Sequence, residues 1–137
     1  MLFYEDLSED IVLVDHIYGG MVITGVTALE SKRIDKLVYL DAYFPFQGKN
    51  EIDLWPINQK NQYYADIALG IKSRPPIEPS ILGIPDPIIS KWVQERSIAH
   101  PYTAYEDPPP SALDYSNQER EYISRTYIHC VTGPLTS

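Results

Sequence analysis

The sequence predicts an α/β protein with a small parallel sheet. Two short apolar segments, Ile11–Val14 and Lys36–Leu40, have the composition of buried strands, and a helical stretch separates them. A strand, a helix and a second strand in succession form a βαβ unit, which implies parallel pairing and a right-handed crossover. A third β-forming segment, residues 125–131, adds another strand. A hydrophobic fraction of 44% in 137 residues is compatible with the core of one domain.

The stretch Gly19–Glu30 is predicted to be the crossover helix. Its small residues recur so that one helix face can lie close against a sheet: Gly20, Thr24, Gly25 and Ala28. The basic residues Lys32 and Arg33 follow the stretch, where they suit the negative end of the helix dipole.

The region from Pro45 to Pro110 contains eleven of the twelve prolines, which disfavours long strands there. One helix is well signalled within it, because Asp86 can cap the helix and Pro87 suits its first turn. Apolar and basic residues then recur at helical spacing: Ile88, Ile89, Trp92, Val93 and Arg96.

Charge and cysteine content restrict the classes of partner and the compartment. The formal net charge is −8 and the basic residues are scattered, which argues against a nucleic-acid partner. No apolar run approaches the roughly 18 to 20 residues of a membrane span. The only cysteine, Cys130, lies in a strand-like stretch and is predicted to be a buried, inert thiol. A single cysteine and an acidic N-terminus without a basic signal-peptide start predict a cytoplasmic location.

The segment LVDHIYGGMVITGVTALESKRIDKLVYLDAYFP, residues 13–45, resembles the centre of the α/β-hydrolase fold. The likeness is strongest to small esterases and hydroxynitrile-lyase-like hydrolases, whose elbow typically reads LVGHSYGGMVI. The later segments LGIPDPIISKWVQERSIAHPYTAYEDP and RTYIHC resemble the cap and a late core strand of the same family. The resemblance implies a partial α/β-hydrolase fold, with parallel strands, a crossover helix and a Pro-rich helical cap. It also implies hydrolysis of a small carboxylic ester without metal or cofactor.

The resemblance implies one partial domain over residues 1–137. The elbow βαβ core would occupy residues 1–48, a cap-like segment residues 49–120, and a core strand with a truncated end residues 121–137.

The family places its nucleophilic serine in a G-x-S-x-G elbow on a strained strand-to-helix turn. Asp15, Ile17 and Gly19 occupy the Gly, Ser and Gly positions of that elbow, so the second glycine is kept and the serine is replaced by isoleucine. The resemblance places the oxyanion-hole N–H on Tyr18. The other elbow residues are His16 and Gly20. A β-branched residue is unfavourable at positive φ, so either the turn relaxes or it carries about 1 to 3 kcal/mol of strain.

Asp41 is the candidate triad acid, because it follows the strand Lys36–Leu40 at the end where α/β sheets gather their ligand sites. An alternative is that Asp41 only caps the next residues, AYFP. None of the three histidines fits the base role: His16 adjoins Ile17, His100 is in the cap-like segment, and His129 is within a strand pattern. Each is predicted to be a packing or surface residue.

These features predict a truncated α/β hydrolase without esterase activity. One alternative is an interaction or ligand-binding protein on the hydrolase core, with self-association. Another is a fragment of a larger active esterase. A hydrolase in which Asp15 and His16 act on a water is disfavoured, because neighbours on a turn rarely face one point. No metal site is predicted, since the histidines lack ligand spacing.

Overall fold

A computed structural model describes residues 9–46, 48–109 and 123–132 of the chain. These residues form two compact units, one containing the residues up to Leu54 with 108–109 and 123–129, the other containing Trp55–Asp107 with 130–132. The strands are β1 (Ile11–His16), β2 (Ile34–Leu40), β3 (Ser73–Arg74), β4 (His100–Pro101) and β5 (Ser124–Ile128). The α-helices are α1 (Gly19–Glu30), α2 (Glu51–Leu54), α3 (Ile57–Ala68), α4 (Pro87–Arg96) and α5 (Thr103–Glu106).

The first unit is built on a three-stranded sheet in the order β1-β2-β5, and both strand pairs are parallel. The crossover helix α1 joins β1 to β2 and has the predicted bounds, Gly19–Glu30. A short 3-10 turn at Ser31–Arg33 leads into β2. The predicted fold class is therefore confirmed: the chain is α/β, with a parallel sheet and a crossover helix.

Helix α1 covers one face of this sheet and forms the core of the first unit. Ile23 of the helix packs with Leu37 and Tyr39 of β2 in one buried cluster. The Thr24 hydroxyl donates to the Gly20 carbonyl oxygen at 2.7 Å and lies 2.7 Å from the Tyr39 hydroxyl, so both buried polar groups are hydrogen-bonded.

The start of α1 lies unusually close to the chain that leaves β2. A Cβ atom at Gly20 would lie 2.2 Å from the Tyr43 carbonyl oxygen and 2.9 Å from the Ala42 Cβ. Only glycine fits this position without movement of the backbone. The predicted small-residue face of the helix therefore packs, at Gly20, against the backbone that follows β2.

The opposite face of the sheet exposes apolar side chains. Val12 is 50% exposed and Val14 is 59% exposed. The register places Val38, Leu40 and Ile128 on this same face, because laterally paired residues of parallel strands point to the same side. We call this surface the open sheet face.

The second unit has an aromatic core. Trp55, Tyr102 and Tyr105 are all buried, and the rings of Trp55 and Tyr105 lie 5.0 Å apart. The Tyr63 ring packs edge to face against the Tyr102 ring, with 5.0 Å between the ring centres. The Tyr63 hydroxyl donates a hydrogen bond to Glu106 Oε1 at 2.8 Å. Edge-to-face aromatic pairs of this kind add to the stabilisation from burial alone.

Helix α4 has the predicted start. Asp86 accepts hydrogen bonds from the backbone N–H groups of Ile88 and Ile89, and Pro87 is in the first turn. Helix α3 was not predicted, because its polar sequence INQKNQYYADIA has no clear apolar stripe. None of the described helices is long and apolar enough to cross a membrane.

Two sequence predictions near the end of β5 are wrong. The strand was expected to extend over residues 125–131, but β5 ends at Ile128, so His129 follows the strand. Cys130 was expected to be buried, but its side chain is exposed. Both errors have one cause: Ile128 pairs with Leu40, the last residue of β2, and no further residue of β2 is available for pairing.

We expect Gly20→Ala to lower the free energy of unfolding by about 1 to 3 kcal/mol, because the new methyl group overlaps backbone atoms. Helix propensity alone predicts the opposite sign, since alanine is favoured over glycine within helices. Urea unfolding measures the difference. Leu29→Ala, at a 74% exposed position of the same helix, is the control and should change stability by less than about 0.5 kcal/mol. A Gly20→Ala chain as stable as the parent would refute the close contact.

Candidate active site

Three strand ends meet at one edge of the parallel sheet. The register pairs Leu40 of β2 with His16 on one side and with Ile128 on the other. The residues that directly follow these strand ends are Ile17, Asp41 and His129. The carboxyl ends of parallel strands are where α/β proteins place their ligand sites, so this edge is the candidate active site.

Ile17 keeps the strained conformation of a nucleophile elbow. Its φ is +49°, in the left-handed region that β-branched residues rarely adopt. Its carbonyl oxygen accepts a hydrogen bond from the Tyr43 backbone N–H at 2.9 Å, which ties the turn to the chain after β2. Of the two outcomes considered from the sequence, the relaxed turn is absent, and the chain carries the strain instead.

Asp15 and Gly19 occupy the two glycine positions of the elbow, and the Asp15 carboxylate packs directly against Gly19. The Asp15 carboxylate lies where a side chain at position 19 would begin, since a Cβ built on Gly19 would be 1.8 Å from its Oδ1. The same Oδ1 atom accepts a hydrogen bond from the His16 backbone N–H at 2.8 Å. A glycine at position 19 therefore accommodates the carboxylate that has replaced the first glycine.

Asp15 and His16 do not converge on one point. Both belong to β1, where successive side chains point to opposite faces of the sheet. Asp15 is directed towards Gly19 of the covering helix, whereas His16 is exposed on the other side. The structure does not bring these two side chains together as a pair that could activate a water.

Tyr18 immediately precedes α1, and its carbonyl oxygen accepts the Met21 backbone N–H at 2.9 Å. Burial raises the pKa of the Tyr18 hydroxyl, and the negative charge of Glu51 raises it further. Tyr18 therefore remains a neutral phenol beside an acidic side chain.

Glu51 is a buried carboxylate near the elbow that the sequence analysis did not single out. It is 2% exposed and begins the short helix α2. A glutamate in a polar, Pro-rich stretch has no local pattern that distinguishes it from a surface residue, so its burial could not be inferred from the sequence.

Asp41 and His129 form a pair at the end of β2 and β5. The Asp41 Oδ1 lies 3.2 Å from the His129 Nδ1, and the Asp41 backbone N–H donates to the Ile128 carbonyl oxygen at 2.7 Å. The imidazole is 58% exposed and the carboxylate 28% exposed. A carboxylate that receives one ring N–H orients an imidazole and leaves the other ring nitrogen available for proton transfer. The sequence analysis missed this pair because it assigned His129 to the interior of a strand.

The remaining histidine belongs to the second unit. The His100 Nδ1 and the Tyr105 hydroxyl form a short hydrogen bond, and the two rings meet edge to face. Within the described ranges, no group of three or more histidine, cysteine, aspartate or glutamate side chains could hold a metal ion.

The strain at Ile17 can be measured with two substitutions. We expect Ile17→Gly to be more stable than Ile17→Ala by about 1 kcal/mol, because glycine adopts positive φ at little cost and both changes remove the isoleucine side chain. Urea unfolding of both variants gives the difference directly.

The same two substitutions at Val22 serve as the control, since Val22 is exposed within α1 and has no positive φ. There the alanine variant should be the more stable, by about 1 kcal/mol. An alanine variant that is also the more stable at position 17 would show that the turn is unstrained.

The chain has local similarity to an esterase and wider similarity to a solved hydrolase. It is 50% identical over 48 residues to a carbendazim hydrolyzing esterase of Nocardioides sp. (strain SG-4G), a match that covers 35% of this chain and 20% of that protein. No family model matches the chain.

The wider similarity is to an extracellular α/β-hydrolase from a Paenibacillus species, described as sharing structural and functional homology with tobacco salicylic acid binding protein 2. The TM-score is 0.72 at 21% identity, and the match covers 89% of this chain and 51% of the neighbour. This chain thus spans about half the length of the solved structure it matches. With its parallel sheet, its crossover helix and an elbow in the strained conformation, the chain has part of the α/β-hydrolase fold.

Proposed function

We propose that this chain is an esterase-like α/β-hydrolase protein that does not itself hydrolyse esters. The observation that carries the proposal is the isoleucine at the nucleophile position, held at φ +49° in the conformation that would present a serine. The elbow geometry is kept and the reactive atom is absent.

Ester hydrolysis by this fold needs a nucleophile, a base and oxyanion donors within hydrogen-bond reach of one another. The Ile17 side chain is a hydrocarbon, so it can neither attack a carbonyl carbon nor give a proton to a base. The argument depends on this one position and holds for a chain of any length, which disfavours the alternative of a fragment from a larger active serine esterase.

The Asp41–His129 pair does not compensate for the missing serine. Strand β2 lies between β1 and β5, so His129 and Ile17 follow strands that are two spacings apart, about 10 Å between backbone positions. The ring nitrogen nearest β2 already faces Asp41. At this spacing only the Nε2 atom of His129 could reach a hydroxyl introduced at position 17, and only with both side chains turned towards each other along the sheet edge.

We expect the purified chain to hydrolyse 4-nitrophenyl acetate and butyrate no faster than a denatured sample or the Ile17→Ala variant. We also expect the double variant Ile17→Ser, Asp15→Gly, which restores the family's elbow sequence, to remain unlabelled by a fluorophosphonate probe. A known serine esterase, labelled in parallel, verifies the probe.

Two outcomes would contradict the proposal. One is turnover by the parent chain that scales with protein concentration across independent preparations and survives Ile17→Ala. The other is stoichiometric labelling of the introduced serine that is lost when His129→Gln is added, because this would show that the Asp41–His129 pair reaches the elbow.

A second candidate function is an interaction protein built on the same core. The open sheet face favours it, because parallel sheets are normally covered on both faces and Val12 and Val14 are each at least half exposed. A partner surface, supplied by another copy of the chain, would bury these side chains.

For this second function we expect sedimentation velocity to show a discrete oligomer, which Val14→Lys converts to monomer because a charge is then placed on the open sheet face. Lys32→Glu, an exposed change of charge after α1, is the control and should leave the oligomer intact. A chain that sediments as a monomer at all concentrations, or only as broad aggregates, would exclude self-association as its function.

A further inference from the structure

A cleft of about 970 Å³ lies within the second unit and is lined by residues of that unit. Helix α3 supplies one wall, and the residues around β3 and β4 supply the other. The volume is in the range of sites that hold small organic ligands.

We propose that this cleft binds small organic carboxylates with an apolar body, and that Arg74 holds the carboxylate group. The proposal is independent of ester hydrolysis, since none of the residues involved belongs to the candidate active site. It depends on three observations. The walls of the cleft are largely apolar, Arg74 stacks on Trp55 without an ion pair among the described residues, and the oxygens of Asp66 are already hydrogen-bonded.

The walls of the cleft are largely apolar. Trp55 contributes an aromatic surface, and aliphatic side chains and prolines contribute the rest: Ile71, Pro75, Pro76, Ile77 and Ile81. Such a surface favours a ligand whose body is a ring or a short hydrocarbon chain.

Arg74 places a positive charge in this apolar cleft. Its guanidinium carbon lies 5.2 Å from the centre of the Trp55 ring, and the side chain is half-buried. In the part of the chain that the structure describes, no ion pair joins Arg74 to a carboxylate. A guanidinium keeps its five donors in one plane, in a fork that matches the two oxygens of a carboxylate. Stacking on Trp55 therefore restricts the group without using up these donors.

Asp66 is the buried carboxylate of the cleft, and its oxygens are already hydrogen-bonded inside the protein. It is 7% exposed and accepts the Tyr102 hydroxyl at 2.5 Å and the Gln62 Nε2 at 2.7 Å. Burial, together with the hydrogen bond to Asp66, raises the pKa of Tyr102 to about 12, so the phenol keeps the proton it donates. A cationic ligand would have to displace these contacts, whereas an anion at Arg74 would not.

The charges also limit the class of anion. Asp66 and the exposed Glu78 both line the cleft, and they would repel a ligand that carries several negative charges. One guanidinium, neutral amides at Asn58 and Gln59, and apolar walls suit a monoanion better than a phosphate ester.

The test uses phenylacetate as the probe and phenylacetamide as its neutral analogue of nearly the same shape. The chain has two tryptophans, so Trp92→Phe leaves Trp55 as the only indole reporter. We expect phenylacetate to change Trp55 fluorescence saturably and phenylacetamide to bind at least about tenfold more weakly, because it lacks the charge that pairs with Arg74.

Arg74→Gln in the same background should weaken phenylacetate binding at least about tenfold, and Arg74→Lys should weaken it less because the charge remains. Arg96→Gln in the Trp92→Phe background is the control, because it removes the same charge from an arginine of helix α4 that does not line the cleft. It should leave phenylacetate affinity unchanged.

Asp66→Asn identifies the sign of the preferred ligand charge. It keeps an acceptor for Tyr102 and removes a negative charge, so phenylacetate should bind more tightly. Saturable binding of phenethylamine that Asp66→Asn abolishes would show a cation site and overturn the proposal. Equal affinities for phenylacetate and phenylacetamide, or no saturable signal from either, would also overturn it. Both measurements use the Trp92→Phe variant, in which no residue that lines the cleft is changed.

Discussion

The close approach of helix α1 to the chain after β2 is the constraint on which the first unit depends. Gly20 lies against the Tyr43 carbonyl, and the Tyr43 N–H donates to the Ile17 carbonyl, so Tyr43 contacts both ends of the turn from Ile17 to Gly20. This arrangement gives the turn little room to unwind. The positive φ of Ile17 follows from the packing of the scaffold, because no reactive group at this position requires it.

The chemistry at the sheet edge is divided between the strands. The central strand and its outer neighbour supply a carboxylate and an imidazole, whereas the strand that enters the helix supplies a hydrocarbon. An oriented imidazole beside an unreactive elbow cannot carry out acyl transfer through the elbow. Elbow geometry alone is therefore insufficient evidence for catalysis in proteins of this fold, because the geometry and the reactive atom can be separated.

Elements with strong local signals could be predicted from the sequence. The bounds of α1 and the capped start of α4 were predicted correctly, because small-residue spacing, Asp86 and Pro87 act within a few residues. Features that depend on distant residues could not. The end of β5 is set by its neighbour β2, and the Asp41–His129 pair joins residues 88 positions apart. The burial of Glu51 and Asp66 likewise arises from tertiary packing, which no local pattern reports.

The contact between Asp15 and Gly19 has a consequence for how this turn can evolve. The Asp15 carboxylate fills the space that any side chain at position 19 would need, so bulk can be accepted at one of the two positions but not at both. While the Asp15 side chain keeps this orientation, a side chain at position 19 can enter only if the carboxylate swings away and loses its hydrogen bond to the His16 N–H. Substitution of Gly19 is therefore coupled to the residue at position 15, and a small residue there removes the conflict.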